Sequence, residues 1–213
     1  MFTGLIQTIG IIEQRSSDRL VIHCADLVNK IAIGDSVAIN GVCLTATQVS
    51  HTSFVADLSP ETLDRTNFSD RKLKYVNLEI ALAVGDKIGG HFVSGHIDGM
   101  GKLSDRALIG NSWELSFEVV PEVGRYIVFK GSIAINGISL TISYCNDWGT
   151  SFRVAVIPHT YDNTTLKYLD IGNSVHLEGD LLGKYVEKFL RVGNNPTSSI
   201  SPITSDFLIE NGW

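Results

Sequence analysis

Cys43 and Thr45, in the run Asn40-Gly-Val-Cys-Leu-Thr45, recur as Ser139 and Thr141 in Asn136-Gly-Ile-Ser-Leu-Thr141. Side chains alternate along a strand, so Val42 and Leu44 share one face while Cys43 and Thr45 share the other. In the second run Ile138, Leu140 and Ile142 lie together, opposite Ser139 and Thr141. If the aliphatic set turns inward, each copy shows a small outward pair able to donate and accept hydrogen bonds. One copy also offers a thiol. An ordinary exposed strand face has a similar composition. What favours chemistry is that a thiol and a hydroxyl occupy equivalent places.

The glycine-bracketed run Gly89-Gly-His-Phe-Val-Ser-Gly-His96 is a second candidate. Glycines let a ligand approach the backbone closely, and His96 could transfer protons near neutral pH. A metal site on His91 and His96 is not expected. Their spacing puts them on opposite faces of a strand, and no cysteine or carboxylate stands nearby at ligand spacing. For either histidine alone, a structural role is the ordinary reading. Pro60-Glu-Thr62 and Pro158-His-Thr160 close a third pair of equivalent segments. Such loops can present fixed backbone N–H and C=O groups to a heterocycle, or they are simply turns.

The elements that position these residues are doubled. Gly34-Asp-Ser-Val-Ala-Ile-Asn-Gly-Val-Cys-Leu-Thr45 returns as Lys130-Gly-Ser-Ile-Ala-Ile-Asn-Gly-Ile-Ser-Leu-Thr141. Thr3-Gly-Leu-Ile6 answers Ser94-Gly-His-Ile97, and Val76-Asn-Leu-Glu79 answers Val175-His-Leu-Glu178. The blocks keep their order while their separation lengthens slowly, as small loop insertions would make it do. The chain is two copies of one unit, 1–87 and 88–186, followed by a tail, 187–213. The period is too long for a solenoid and suits a duplicated small domain. Each unit alternates in the β manner, with Asn40-Gly41 and Asn136-Gly137 as hairpin turns between apolar runs. About six short strands per unit suggest a closed barrel, which removes exposed edges; a sandwich is the alternative. In the tail, Gly183–Arg191 places Tyr185 with Phe189 and Val186 with Leu190 on one helical stripe. That stripe packs on its own barrel or on another copy of the chain. A second short helix is expected from a Thr204 or Ser205 cap to Asn211-Gly212.

Composition narrows the partners. Among 213 residues the 17 Lys and Arg are outnumbered by 23 Asp and Glu and are scattered, which argues against a nucleic-acid surface. No apolar run approaches a membrane span, and the opening Met1-Phe-Thr-Gly-Leu-Ile lacks the pattern of a secretion signal. Three cysteines without a CxxC argue against a disulfide framework or structural zinc and fit a reducing cytoplasm.

At this point the sequence resembles the riboflavin synthases. The resemblance rests on Met1-Phe-Thr-Gly-Leu-Ile6, Gly90-His-Phe-Val-Ser-Gly-His96, the paired Asn-Gly runs, Leu182-Gly-Lys-Tyr-Val-Glu187 and Phe207-Leu-Ile-Glu-Asn-Gly212. It covers essentially the whole chain. It implies an all-β fold of two tandem, similar six-stranded Greek-key barrels with a C-terminal α-helix that holds a homotrimer. Each barrel would bind one 6,7-dimethyl-8-ribityllumazine, at a site formed between subunits. The implied reaction is a dismutation, with four carbons passing from one lumazine to its twin to give riboflavin and a pyrimidinedione. No cofactor is implied. Association with lumazine synthase is.

Carried over by position, the N-terminal pocket would use Gly4, Leu5, Ile6, Ser36, Cys43, Leu44, Thr45, Ser59, Pro60, Glu61, Thr62, Leu63 and Asp64. The C-terminal pocket would use Gly95, His96, Ile97, Lys130, Ser139, Leu140, Thr141, Ile157, Pro158, His159, Thr160, Tyr161 and Asp162. Ser139, Thr141 and His96 would surround the lumazine that loses a proton, and Cys43 and Ser36 would serve the acceptor. Two departures from the family pattern stand out: Asn136, where some relatives carry Asp, and Asp64, where a basic residue is common. A fluorescent antenna protein of the same fold, binding lumazine without turning it over, is the rival reading. Retention of Cys43, Thr45, Ser94-Gly-His96, Ser139 and Thr141 favours catalysis. A flavin oxidoreductase barrel would bring a glycine-rich nucleotide-binding unit, which is not evident, and a plain adaptor barrel leaves the doubled polar pairs unexplained.

Overall fold

The computed structural model describes residues 1–193; the short helix expected near 204–212 lies outside them. Twelve strands form two closed barrels. The first contains β1 (Thr8–Arg15), β2 (Arg19–His23), β3 (Ser36–Ile39), β4 (Val42–Val49), β5 (Ser53–Asp57) and β6 (Tyr75–Ile80). The second contains β7 (Gly99–Ile109), β8 (Ser112–Val119), β9 (Ser132–Ile135), β10 (Ile138–Cys145), β11 (Ser151–Val156) and β12 (Ser174–Gly179). Strand order around the first is β1-β2-β5-β4-β3-β6, and the second repeats it as β7-β8-β11-β10-β9-β12. This is the Greek-key winding, all antiparallel, and closure decides against a sandwich.

Local chemistry explains the repeat. Asn40 and Asn136 both sit at φ 46°, followed by Gly41 at 81° and Gly137 at 80°. Two successive positive φ values make the tight turn whose twist matches its flanking strands, so Ile39 pairs with Val42 and Ile135 with Ile138. Bulges interrupt β1 after Ile12 and β7 after Leu103, and β4 after Ala46 and β10 after Ile142. These are equivalent places, where a strand must bend for the sheet to close. Burial alternates identically along β4 and β10. Each barrel thus fills its own interior: Leu20, Ile22, Leu44, Phe54 and Leu78 in the first, Leu103, Phe117, Leu140, Phe152 and Leu177 in the second. Each such side chain stabilises the fold by about 2 kcal/mol.

The barrels meet along a seam that repeats on both sides of a pseudo-twofold axis. Asn77 Nδ2 donates to the Asn136 carbonyl (2.9 Å) while its Oδ1 accepts from Thr165 N–H (2.8 Å). On the other side His176 takes Asn77's place. Its Nδ1 lies 2.9 Å from the Asn40 carbonyl, and its Nε2 accepts from Asn67 N–H (3.1 Å). These partners fix the tautomer, with the proton on Nδ1. The ring is fully buried, which pulls its pKa down to about 4.

Three short helices, α1 (Pro60–Arg65), α2 (Pro121–Gly124) and α3 (Pro158–Asp162), connect strands. A longer one, α4 (Leu181–Gly193), exceeds the expected Gly183–Arg191 at both ends. Leu182, Tyr185, Val186, Phe189 and Leu190 of α4 are all exposed. No helix among the described residues is long and apolar enough to cross a membrane.

Candidate active site

Each copy's opening segment lies on the other copy's barrel. Glu79, buried on β6, accepts from Thr3 N–H (2.7 Å), Thr3 Oγ1 (2.7 Å) and Gly4 N–H (3.0 Å). Thus clamped, Gly4 reaches β10, where its carbonyl accepts from Ser139 N–H (2.8 Å). The second copy repeats this. Glu178 on β12 accepts from Ser94 N–H, Ser94 Oγ and Gly95 N–H (2.7, 2.6 and 2.9 Å), and the Gly95 carbonyl accepts from Cys43 N–H (2.9 Å). A Cβ on Gly4 would lie 2.6 Å from Ser139 Cβ, and one on Gly95 2.5 Å from Cys43 Cβ. Only glycine permits that approach. Phe2 and Val93 pair with one another where the segments cross, and Ile97 joins the first barrel's core while Ile6 packs on the second's.

This corrects the division of the pockets. Gly4, Leu5 and Ile6 accompany Ser139 rather than Cys43, and Gly95, His96 and Ile97 accompany Cys43 rather than Ser139. Sequence order assigned each segment to its own repeat; the glutamate clamps carry it across the seam. His96, expected beside Ser139 and Thr141, is exposed on the Cys43 side instead.

The polar pairs face outward as the alternation requires. Cys43 and Ser139 are half-buried, Thr45 and Thr141 exposed. Ser36 stands opposite Thr45 across β3–β4. Its counterpart is Ser132, opposite Thr141 on β9–β10, a residue that the repeat alignment could have supplied. Lys130 instead matches Gly34. Lys130 has φ 63° where Gly34 has 96°, and each donates its N–H to the equivalent carbonyl, Ile142 and Ala46.

His91, weighed in sequence only as a metal ligand or a structural residue, stands beside Ser139. Its Nδ1 lies 2.7 Å from Ser139 Oγ. Its Nε2 is buried without a partner among the described residues, and burial pulls the pKa below 6.5 despite the charge of Asp180. The ring is therefore neutral at pH 7 and able to accept a proton through Ser139. Among the described residues no histidine is hydrogen-bonded to Cys43 in the same way. The signal available in sequence was the Gly90-His91 step: a Cβ on Gly90 would meet the Thr3 carbonyl and Ser139. Cys24, by contrast, is buried in the first core, which pushes its thiol up to about 11.

The two Pro-Xaa-Thr segments are helical turns rather than open loops. Ser59 caps α1, its Oγ accepting from Thr62 N–H (3.1 Å), with Pro60 first in the helix. Leu63 packs on the first core, and Glu61 pairs with Arg65; Asp64 is exposed. In α3, which follows Ile157, Pro158, His159 and Asp162 are exposed and Thr160 half-buried. Tyr161 is buried, stacks on Trp113 at 4.6 Å and receives Arg106 Nη1 on its hydroxyl (3.1 Å). Leu44 and Leu140 point into the barrels. Asn136 belongs to the seam, its Oδ1 accepting from His176 N–H. No cluster of three or more metal-ligating side chains occurs among the described residues.

The fold and site define a duplicated-barrel protein with two equivalent outward polar pairs, each approached by a segment from the other copy. A profile of the lumazine binding domain matches residues 3–81 and 94–180. The chain is 42% identical to the riboflavin synthase of Actinobacillus pleuropneumoniae and 37% to that of Bacillus subtilis, each over the full length of both chains. Among solved structures, LumP complexed with riboflavin superposes with a TM-score of 0.77 at 23% identity, covering 84% of this chain and 99% of that one. The chain belongs to the riboflavin synthase family of lumazine-binding proteins.

Proposed function

We propose that this protein is a riboflavin synthase. It would dismutate two molecules of 6,7-dimethyl-8-ribityllumazine by four-carbon transfer, giving riboflavin and 5-amino-6-ribitylamino-pyrimidinedione. The observation that carries this reading is a pair of equivalent outward strand sites with unlike side chains: Cys43 in one, the His91–Ser139 hydrogen bond in the other. Two identical substrates need similar frames, and a donor and an acceptor need different chemistry.

One lumazine must lose a proton from its C7 methyl group. Neutral His91, acting through Ser139 Oγ, is the acid–base group placed to accept it. The other lumazine is attacked at C7, in the pocket with Cys43, Ser36 and Thr45. His96, Gly95 and Ile97 complete this pocket beside Ser59–Asp64. Gly4, Leu5, Ile6, Thr141, Lys130 and Ile157–Asp162 complete the other. Holding both reactants in place removes translational freedom at the moment of reaction. Because the substrate is both donor and acceptor, no cofactor is needed. The repeats 1–87 and 88–186 are the binding units, and the tail 187–213 an oligomerisation element. The exposed stripe of α4 supports a homotrimer, in which pockets from neighbouring subunits would face each other. A cytoplasmic enzyme, associated with lumazine synthase, fits this chemistry; no nucleic acid or membrane is involved.

The test is to mix purified protein with 6,7-dimethyl-8-ribityllumazine alone and follow riboflavin by chromatography. One riboflavin per two lumazines consumed is the expected result. Tight fluorescent binding with no product would make this a lumazine carrier and overturn the reading.

A further inference from the structure

A cleft of about 570 Å³ opens on the seam between the barrels, and it shares no lining residue with either pocket above. Its walls come from equivalent stretches of the two copies, 67–75 and 165–174. Asn40 and Asn136 line it, each almost fully buried. Their Oδ1 atoms accept from Asn77 and His176 N–H (2.7 and 2.8 Å), which fixes both amides. The two Nδ2 groups have no partner among the described residues. Asn67 and Thr165 are equivalent to one another and also line the cleft. Each spends its backbone N–H on the seam. Asn67 Oδ1 and Thr165 Oγ1 are buried and unpartnered, and Thr165 is only 3% exposed.

Two buried oxygens, Asn67 Oδ1 and Thr165 Oγ1, thus await partners at places related by the pseudo-twofold axis, beside the two amide groups. A buried polar group without a partner is destabilising, so their common position indicates that something polar completes them. The rim carries two lysines and one carboxylate, Asp70. Lys72 and Lys74 line the cleft with no ion pair among the described residues. Asp70 is already engaged, its Oδ1 accepting from Lys72 N–H (2.9 Å). Arg15 holds this rim by donating to the Asp70 and Leu73 carbonyls (2.6 and 2.7 Å).

We propose that this cleft is a second binding site, for a small polyhydroxylated phosphate ester. Amide donors and oxygen acceptors side by side match hydroxyls, which do both, and the two lysines match a phosphate. The volume suits a small molecule, and the paired floor suits an extended polyol.

Sorbitol 6-phosphate, sorbitol and inorganic phosphate, titrated calorimetrically into the full-length protein with saturating riboflavin present, test this. The ester should bind saturably, at least tenfold more tightly than either fragment. Thr165→Val and Lys74→Gln should each weaken it at least tenfold. Thr165→Val removes only an unpartnered hydroxyl, so its melting temperature should not fall; Lys74 is exposed, so Lys74→Gln remains a valid test if the other variant does not fold. The proposal is overturned if nothing saturates by about 10 mM, a range that fills even millimolar sites. It is equally overturned if inorganic phosphate alone binds as tightly, if neither variant changes binding, or if riboflavin abolishes it.

Discussion

At the scale of single residues the two proposed pockets differ in one respect that matters for proton transfer. Ser139 has His91 at 2.7 Å, whereas among the described residues no histidine is hydrogen-bonded to Cys43. If Ser139 and His91 move the methyl proton, Ser139→Ala and His91→Gln should each lower kcat about 100-fold or more while leaving the circular dichroism spectrum unchanged. Burial lowers the His91 pKa from 6.5, so the neutral base survives to lower pH than a solvated histidine would. The wild-type rate should therefore fall only below pH 6.5, and His91→Gln should remove that acid limb from its residual activity. Cys43→Ser keeps a hydrogen-bonding group of similar size. A loss of about tenfold or less would assign Cys43 to binding, and a loss like that of Ser139→Ala would assign it to covalent attack.

At the scale of elements, the crossing segments lie against the strands that carry Cys43 and Ser139, and two glycines, one in a crossing segment and one outside, separate two effects of an added methyl group. Gly34 and Gly95 both have positive φ, 96° and 87°. A Cβ at Gly34 meets open space, whereas one at Gly95 meets Cys43 backbone and Cβ. Gly34→Ala should therefore cost only the conformational strain, about 1 kcal/mol, and keep activity. Gly95→Ala should cost clearly more in urea denaturation and lift the segment that covers Cys43, lowering turnover. Equal losses in the two variants would mean that the close approach contributes nothing. The same elements mark where the sequence was legible. Alternation through Val42–Thr45 and Ile138–Thr141 located the outward pairs, and the doubled Asn-Gly turns located the barrels. It did not reveal that Gly4 serves Ser139 and Gly95 serves Cys43. That exchange depends on Glu79 and Glu178, which stand in strands where a buried carboxylate has no periodic signature; their partners lie far away in sequence. Burial opposes the ionised form of Glu79 and raises its pKa, while hydrogen bonds from Thr3, Gly4 and Leu5 pull the other way. That contest is visible only in three dimensions.

At the scale of the whole molecule, the seam ties the barrels' fate to pH through His176. The ring does the work of Asn77 on the opposite side, donating from Nδ1 and accepting at Nε2, and protonation of Nε2 would set two donors against each other. Its pKa is about 6.5 in the unfolded chain and about 4 in the folded one. The folded state binds fewer protons, so the stabilisation is complete above pH 6.5 and is lost as pH falls toward 4. The total is on the order of 3 kcal/mol. His91 acts in the same direction, since its pKa is also lowered; Glu79, with a raised pKa, acts oppositely, favouring the fold as pH falls. The difference between wild type and His176→Asn isolates the seam from both. Asn77 shows that an amide can meet both partners, but the smaller side chain loses the edge contact with Phe68 at 5.2 Å and leaves a void. His176→Asn should therefore be less stable than wild type at pH 8, by about 2 kcal/mol. As pH falls to 5 the wild type loses its advantage and the variant does not, so the two urea midpoints should converge. A constant gap across that range would mean that His176 titrates alike in the folded and unfolded chain, and that the seam is indifferent to protons.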